Sequence, residues 1–237
     1  MSRWGFLFLI LVSILRAEDN PVILVHGYGP RPLVNMRAFR ANLEFSGVKS
    51  ENIFLLDYPQ LESPSEIVRS VGESVSPWLS KFPAGTRFDV IGHSYGGFIG
   101  LYSALELGIE VRKFISLASV ARGMNELRLC RAFRACGKTI PQLVPFMSPF
   151  LQDFYTRFDS KIQRIEKCAL YSPDDNVVSD PPDSGALPGG LTVEVKNASH
   201  MSFIHDRDLF QMVQTYCYGK PAPLDGFKHD IEVHQRP

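Results

Sequence analysis

The sequence has no excess of either charge: Lys plus Arg and Asp plus Glu both number 25, so the formal net charge is zero. A nucleic-acid binder would show a basic stripe, and none is present. The 4 cysteines contain no C-x-x-C pair, which argues against a zinc ribbon. Beyond residue 15 no apolar run reaches the roughly 20 residues a membrane-crossing helix needs. No internal repeat is visible, which removes solenoid architectures. The nearest approach to a metal set is His200, His205, Asp206 and Asp208. Histidines five residues apart do not share a helical face, so no metal is expected there.

What is present suits one globular domain. The chain has 237 residues, 45% hydrophobic and 21% charged, enough for a sizeable core. Its start is different in kind. Arg3 precedes an apolar stretch from Trp4 to Leu15, followed by Arg16 and Ala17. That order reads as a secretory signal over 1–17, with an uncleaved anchor as the alternative. Residues 18–219 then form the folded domain, and the polar, proline-bearing 220–237 reads as a flexible tail. An exported chain permits disulfides. Cys130 and Cys136 lie close together and pair first, which leaves Cys168 for Cys217; free buried thiols are the alternative.

Strands and helices alternate. The short, continuously apolar run at 21–25 and the one within 52–57 read as strands buried on both faces, and 87–91, 111–117, 167–171 and 191–195 read as further strands. Helical patterns fall at 36–45, from Ser63 onward, at 98–107 and over 205–216. Ser63-Pro64-Ser65-Glu66 is a capping box with proline at the first helical position, and Pro77 is expected to bend or restart that helix. The class is therefore α/β, with a mostly parallel sheet of about six strands covered by helices on both faces.

Gly92-His93-Ser94-Tyr95-Gly96 follows the third strand and precedes a helix. In that setting G-x-S-x-G is a sharp turn that lifts a serine hydroxyl above the sheet edge. A hydroxyl is a weak nucleophile, so it needs a base and a group that orients the base. The acid falls after the fifth strand, in Ser172-Pro173-Asp174-Asp175-Asn176-Val177-Val178. Either aspartate could serve as the acid; Asp175 is preferred, which leaves Asp174 as a turn former. The base is His200, in the loop after the sixth strand, with His205 as its rival. Val25-His26-Gly27-Tyr28-Gly29 follows the first strand. Backbone N–H groups of Tyr28 and of Tyr95, the residue after the nucleophile, are placed to hold an oxyanion. His93 reads as packing beside the turn.

These motifs resemble the α/β-hydrolase lipases and esterases, most of all the small secreted bacterial-type lipases with a six-stranded sheet. The resemblance covers about 20–219. It implies a Ser94–Asp175–His200 triad, an oxyanion hole at Tyr28 and Tyr95, no cofactor, and hydrolysis of carboxylic esters through an acyl-enzyme. It also implies an ester or lipid substrate, transient contact with a lipid surface, a monomer and a secreted or lumenal location. An acyl- or palmitoyl-protein thioesterase using the same triad stays open, and so does a non-catalytic secreted binding protein. The chain departs from the small lipases in carrying 121–163 between strands four and five. This insertion reads either as a lid or acyl wall, with Val144, Phe146, Met147, Phe150 and Leu151 facing the site, or as packing against the sheet. Phe146, Met147 and Phe150 are the substrate-binding candidates. The sequon Asn197-Ala198-Ser199 lies beside the base, where a glycan would block access.

Overall fold

The computed structural model describes residues 20–29, 32–125, 137–144, 146–178, 181–221 and 228–236. The leader at 1–17, Cys130 and Cys136 lie outside them. The chain runs β1 (Val22–Val25), α1 (Pro32–Phe45), β2 (Ile53–Leu56), α2 (Pro64–Leu79), β3 (Phe88–His93) and α3 (Tyr95–Glu106). It continues through β4 (Val111–Leu117), α4 (Pro149–Ile162), β5 (Glu166–Tyr171), α5 (Pro181–Gly185), β6 (Leu191–Val195), α6 (Ser202–His205), α7 (Arg207–Met212) and β7 (Ile231–Gln235). The strands form one sheet in the order β2-β1-β3-β4-β5-β6-β7. Every neighbouring pair is parallel except β6 with β7.

The alternation of side chains along each strand divides the core in two. On β1, Ile23 and Val25 join one cluster with Val71, Val75, Phe98 and Phe154, under α2, α3 and α4. Val22 and Leu24 join the other, with Phe39, Leu43, Phe203 and Phe210 from α1, α6 and α7. Both faces are covered, which is why β1 and β2 read as unbroken apolar runs. β1 sends its connection to β2 on one side and has β3 on the other. The strand order therefore reverses between β1 and β3, the place where open α/β sheets put their sites.

Three local features differ from the sequence expectation. α2 runs through Pro77 to Leu79 without a restart. The proline is exposed and falls in the last turn, where few helical hydrogen bonds remain to be lost. The expected helix over 205–216 is two helices and a wider π turn over Val213–Cys217. The break is at Asp206, whose extended backbone and side chain cap α7 by accepting from the Asp208 N–H at 2.8 Å. The tail is the third correction: Ile231–Gln235 is a seventh strand, antiparallel at the β6 edge. Its exposed polar side chains hide it from an apolar-run search, as is usual for an edge. A disulfide joins Cys168 on β5 to Cys217 in the π turn, with both cysteines buried.

The described part of 121–163 is packed. Ile140, Leu143, Leu151 and Phe154 are fully buried. Tyr155 donates its hydroxyl to the Ala121 carbonyl at 2.8 Å, and Thr139 donates to the Glu62 carbonyl at 2.8 Å. Ser148 caps α4 and accepts from the Leu151 N–H.

Candidate active site

Ser94 sits between β3 and α3 at φ 54°, ψ −129°. A positive φ is costly for a residue with a Cβ and marks a backbone held by its surroundings. Here the neighbours supply the hold. The Ser94 N–H donates to the Leu117 carbonyl at 2.9 Å, and the Gly97 N–H donates to the Ser94 carbonyl at 3.0 Å. The turn also needs bare backbone beside it. A Cβ on Gly96 would lie 2.5 Å from the Val25 carbonyl oxygen, and one on Gly92 would lie 2.5 Å from the Gly96 carbonyl oxygen. Ser94 is 1% exposed, and its Oγ has no hydrogen-bond partner among the described residues. A buried hydroxyl normally finds a partner, so this one is held in reserve.

Asp175 and His200 meet although 25 residues separate them. His200 Nδ1 lies 2.8 Å from Asp175 Oδ2, with both groups buried. The other carboxylate oxygen accepts from the N–H groups of Val177 at 2.8 Å and Val178 at 3.0 Å. Burial alone would raise the Asp175 carboxyl. The His200 hydrogen bond and charge, with those two N–H groups, bring it below the ordinary carboxylate value. Asp175 is thus an anion fixed on Nδ1, which leaves His200 Nε2 as the edge for proton transfer. Asp174 points elsewhere: its Oδ2 accepts from the Asn197 N–H at 2.7 Å, tying the acid loop to the base loop. Asn197 holds a left-handed φ of 60°, a conformation asparagine tolerates. His205 is exposed at the end of α6. No group of three or more potential metal ligands occurs among the described residues.

The loop after β1 is braced from β2. The Gly29 N–H donates to Gln60 Oε1 at 2.7 Å, and Gln60 Nε2 donates to the Gly29 carbonyl at 3.2 Å. The amide side chain thereby pairs with Gly29 as a strand neighbour would. Tyr58 donates its hydroxyl to the His26 carbonyl at 2.9 Å and stacks on the His26 ring at 4.3 Å. His26 itself is buried. Its Nδ1 lies 2.8 Å from the Gly27 carbonyl and its Nε2 3.3 Å from Asp57 Oδ1. A neutral ring can donate to only one of these acceptors, and the shorter contact is the better claimant. Burial keeps the ring below the usual histidine value, against the opposing pull of Gly27 and Asp57. Tyr28 follows in this braced loop, with its ring 6.1 Å from that of Tyr95. Tyr95 opens α3, where backbone N–H groups are free of helical partners.

The substrate-binding candidates divide. Phe150 packs its ring at 6.0 Å from Phe98 and 5.7 Å from Tyr102. These contacts pack α4 on α3, the second of the two readings of the insertion. Phe146 lies 4.8 Å under the Arg122 guanidinium. Met147 lines a cleft of about 230 Å³ with Arg122, Tyr155, Ile162 and Leu187, and none of Ser94, Asp175 or His200 lines it. Gln60, Tyr58 and Asp57 were missed as site residues. The one available signal was their place directly after β2, the strand beside β1.

Comparison with known proteins agrees with this architecture. The palmitoyl protein thioesterase family matches residues 21–178, from β1 through the Asp175 loop. A lipase of Bacillus licheniformis, BlEst2, in its mature form superposes with a TM-score of 0.62 at 13% identity, covering 84% of this chain and 91% of that one. The metagenome-derived lipolytic enzymes LipS and LipT give a TM-score of 0.58 at 11% identity, over 86% and 95% of the two chains. Phospholipase PlaB from Legionella pneumophila, in complex with thio-NAD, gives 0.50 at 21% identity, over 65% of this chain; the match spans 38% of PlaB. At such identities the structures establish the fold, and the family match goes further: the chain belongs to the palmitoyl protein thioesterase family, on an α/β-hydrolase fold.

Proposed function

We propose that this protein is a serine acyl hydrolase that cleaves acyl thioesters with Ser94 as nucleophile, His200 as base and Asp175 as its orienting acid. The observation that carries the reading is the buried 2.8 Å contact between His200 Nδ1 and Asp175 Oδ2. It lies at the same end of the sheet as a strained serine whose hydroxyl is uncommitted. The family match supplies the thioester.

In the first step His200 Nε2 takes the Ser94 proton as Oγ attacks the acyl carbonyl carbon. The carbonyl oxygen becomes an oxyanion, held by the Tyr28 and Tyr95 N–H groups. Collapse breaks the carbon–sulfur bond, and His200 returns the proton to the thiol. Water then repeats the sequence on the acyl-serine and releases the carboxylic acid. A thiolate is a better leaving group than an alkoxide, since thiols ionise near pH 8.5 and alcohols far higher. Thioester cleavage therefore asks less of His200 as an acid. Carboxylic esters are the second reading, because the triad acts on the acyl carbonyl, which both substrates share.

The test is a pair of substrates with one acyl chain, attached through sulfur and through oxygen, hydrolysed by the wild type and by Ser94→Ala. A higher kcat/KM on the thioester, lost by about 10³-fold or more in the variant, is the expected result. Preference for the oxygen ester would make the protein an esterase of the same mechanism. Ser94-independent turnover would remove the triad. Residues 1–17 are proposed to direct export, a reading the Cys168–Cys217 disulfide supports. N-terminal sequencing of protein recovered outside the cytosol tests it.

A further inference from the structure

His93 is the one motif residue that the mechanism leaves without a task. It precedes the nucleophile and is 3% exposed. Its Nε2 lies 2.9 Å from the backbone carbonyl oxygen of His200, across 107 residues of sequence. A carbonyl only accepts, so Nε2 carries the proton and donates it. Nδ1 is then bare, and it faces the oxyanion loop: a Cβ on Gly27 would come within 3.1 Å of it. The His93 and His200 rings lie 4.7 Å apart at 46°. One side chain therefore touches the base loop with one edge and the oxyanion loop with the other, while its own backbone leads into Ser94.

The ring also stays uncharged. Burial above all, then the neighbouring charge of His200, lowers it to about 3, against the His200 hydrogen bond and the Asp175 charge; His205 adds to the lowering. The groups facing it are thus His200, Asp175 and His205, and none makes it a cation at neutral pH. Neutrality matters because His200 becomes an imidazolium in each transition state. A second cation at ring-to-ring distance would oppose that charge by kcal/mol.

We propose that His93 is a positioning residue of the active site, which fixes the base loop against the nucleophile turn by donating a hydrogen bond to the His200 backbone carbonyl. The inference rests on the Ser94–Asp175–His200 reading. Asp175 fixes the His200 ring from Nδ1, and His93 fixes its backbone. Held at both ends, the ring has little freedom to swing Nε2 away from Ser94. Positioning of this kind is worth much at a reacting atom, since a displacement of about 1 Å can cost about 10²-fold.

The test compares wild type, Ser94→Ala, His93→Phe and His93→Gln. Glutamine carries an uncharged amide nitrogen at nearly the reach of Nε2; phenylalanine fills the space without a donor. Each protein is checked for folding by thermal melt, then measured for kcat and KM and for the rate of labelling by a fluorophosphonate. His93→Phe is expected to lower kcat and labelling rate by about 10- to 100-fold with KM within about twofold. His93→Gln is expected to recover most of that loss. A folded His93→Phe with wild-type kcat overturns the inference, and so does a folded His93→Gln that loses as much as the phenylalanine variant. If His93→Phe does not fold, His93→Asn replaces it, since its shorter amide leaves the His200 carbonyl without its donor. Asparagine activity equal to glutamine activity would then overturn the inference. Failure of the underlying triad reading looks different: the wild type itself remains unlabelled.

Discussion

The two ends of β3 each bury a polar side chain, Asp89 and Ser94, in opposite ways. At the start of β3, Asp89 is 1% exposed and has both oxygens occupied. Arg112 donates Nε to Oδ1 at 2.8 Å and Nη2 to Oδ2 at 2.5 Å, and the Tyr218 hydroxyl donates to Oδ2 at 3.0 Å. Lys113 beside them donates to the Cys217 carbonyl and pairs with Glu166 at 3.0 Å. A cavity of about 290 Å³ opens there, lined by Asp89, Arg112, Lys113, Gln214 and Tyr218. At the other end of the same strand the geometry is as tight, but the Ser94 hydroxyl is left over. A carboxylate with both oxygens occupied has no free oxygen left with which to react. An unsatisfied hydroxyl beside a carboxylate–histidine pair costs stability and can react. Saturation separates Asp89 from Ser94, although burial is equal at both.

That contrast can be broken most severely at the acid. Asp175→Asn keeps the shape but loses the anion on His200 Nδ1, and is expected to reduce kcat by about 10⁴-fold with little change in melting temperature. A loss under tenfold would mean that Asp175 does not orient the base. Asp89→Ala should do the reverse. It strands a half-buried guanidinium and the Tyr218 hydroxyl, and should cost about 3 kcal/mol in urea unfolding, while kcat per folded molecule stays at the wild-type value. A fall in kcat would show that the two ends are coupled.

Smaller effects sharpen the comparison. Gln60→Ala removes both hydrogen bonds to Gly29 and loosens the oxyanion loop without touching the triad. About a tenfold loss in kcat, near 1.4 kcal/mol, is expected; unchanged kinetics would remove Gln60 from the site. The smallest effect is on acid stability. The folded His93 is lowered to about 3 and the unfolded residue titrates near 6.5, so between those values the unfolded chain binds a proton that the folded one refuses. Stability therefore falls as pH drops through that window, by about 1.4 kcal/mol per pH unit from this residue. His26 shifts in the same direction. The unfolding free energy of His93→Gln should be less steep in pH by about 1 kcal/mol per unit between about pH 5.5 and 4.5. Equal slopes in the two proteins would mean that the folded ring takes up its proton normally.

Much of this was legible in the sequence, for physical reasons that also explain the gaps. Val22–Val25 and Ile53–Leu56 occupy the expected positions because a strand covered on both faces is apolar throughout. β7 was missed because the same rule runs backward: an edge strand with one face in water, Ile231-Glu232-Val233-His234-Gln235, carries no such signal. Ser94, Asp175 and His200 were readable because each follows a strand, where the topology gathers loops. The division of labour between Asp174 and Asp175 left both open, since it depends on which oxygen meets His200 and which meets Asn197. Gln60 and the outward reach of His93 depend on partners 31 and 107 residues away. No local pattern encodes such a pairing. Phe150 shows the converse, because an aromatic in an insertion has the same appearance whether it lines a site or packs on Phe98.

The Cys168–Cys217 bond makes a covalent ring of the chain between them. Asp175 and His200 both belong to that ring, and Ser94 lies outside it. One broken peptide bond anywhere within the ring leaves a single molecule, with acid and base still joined through sulfur. One broken bond between Cys136 and Cys168 severs the covalent path from Ser94 to both. Against a protease the triad is therefore two parts of unequal durability, and the half that moves the proton is the one that survives a cut in its own loops.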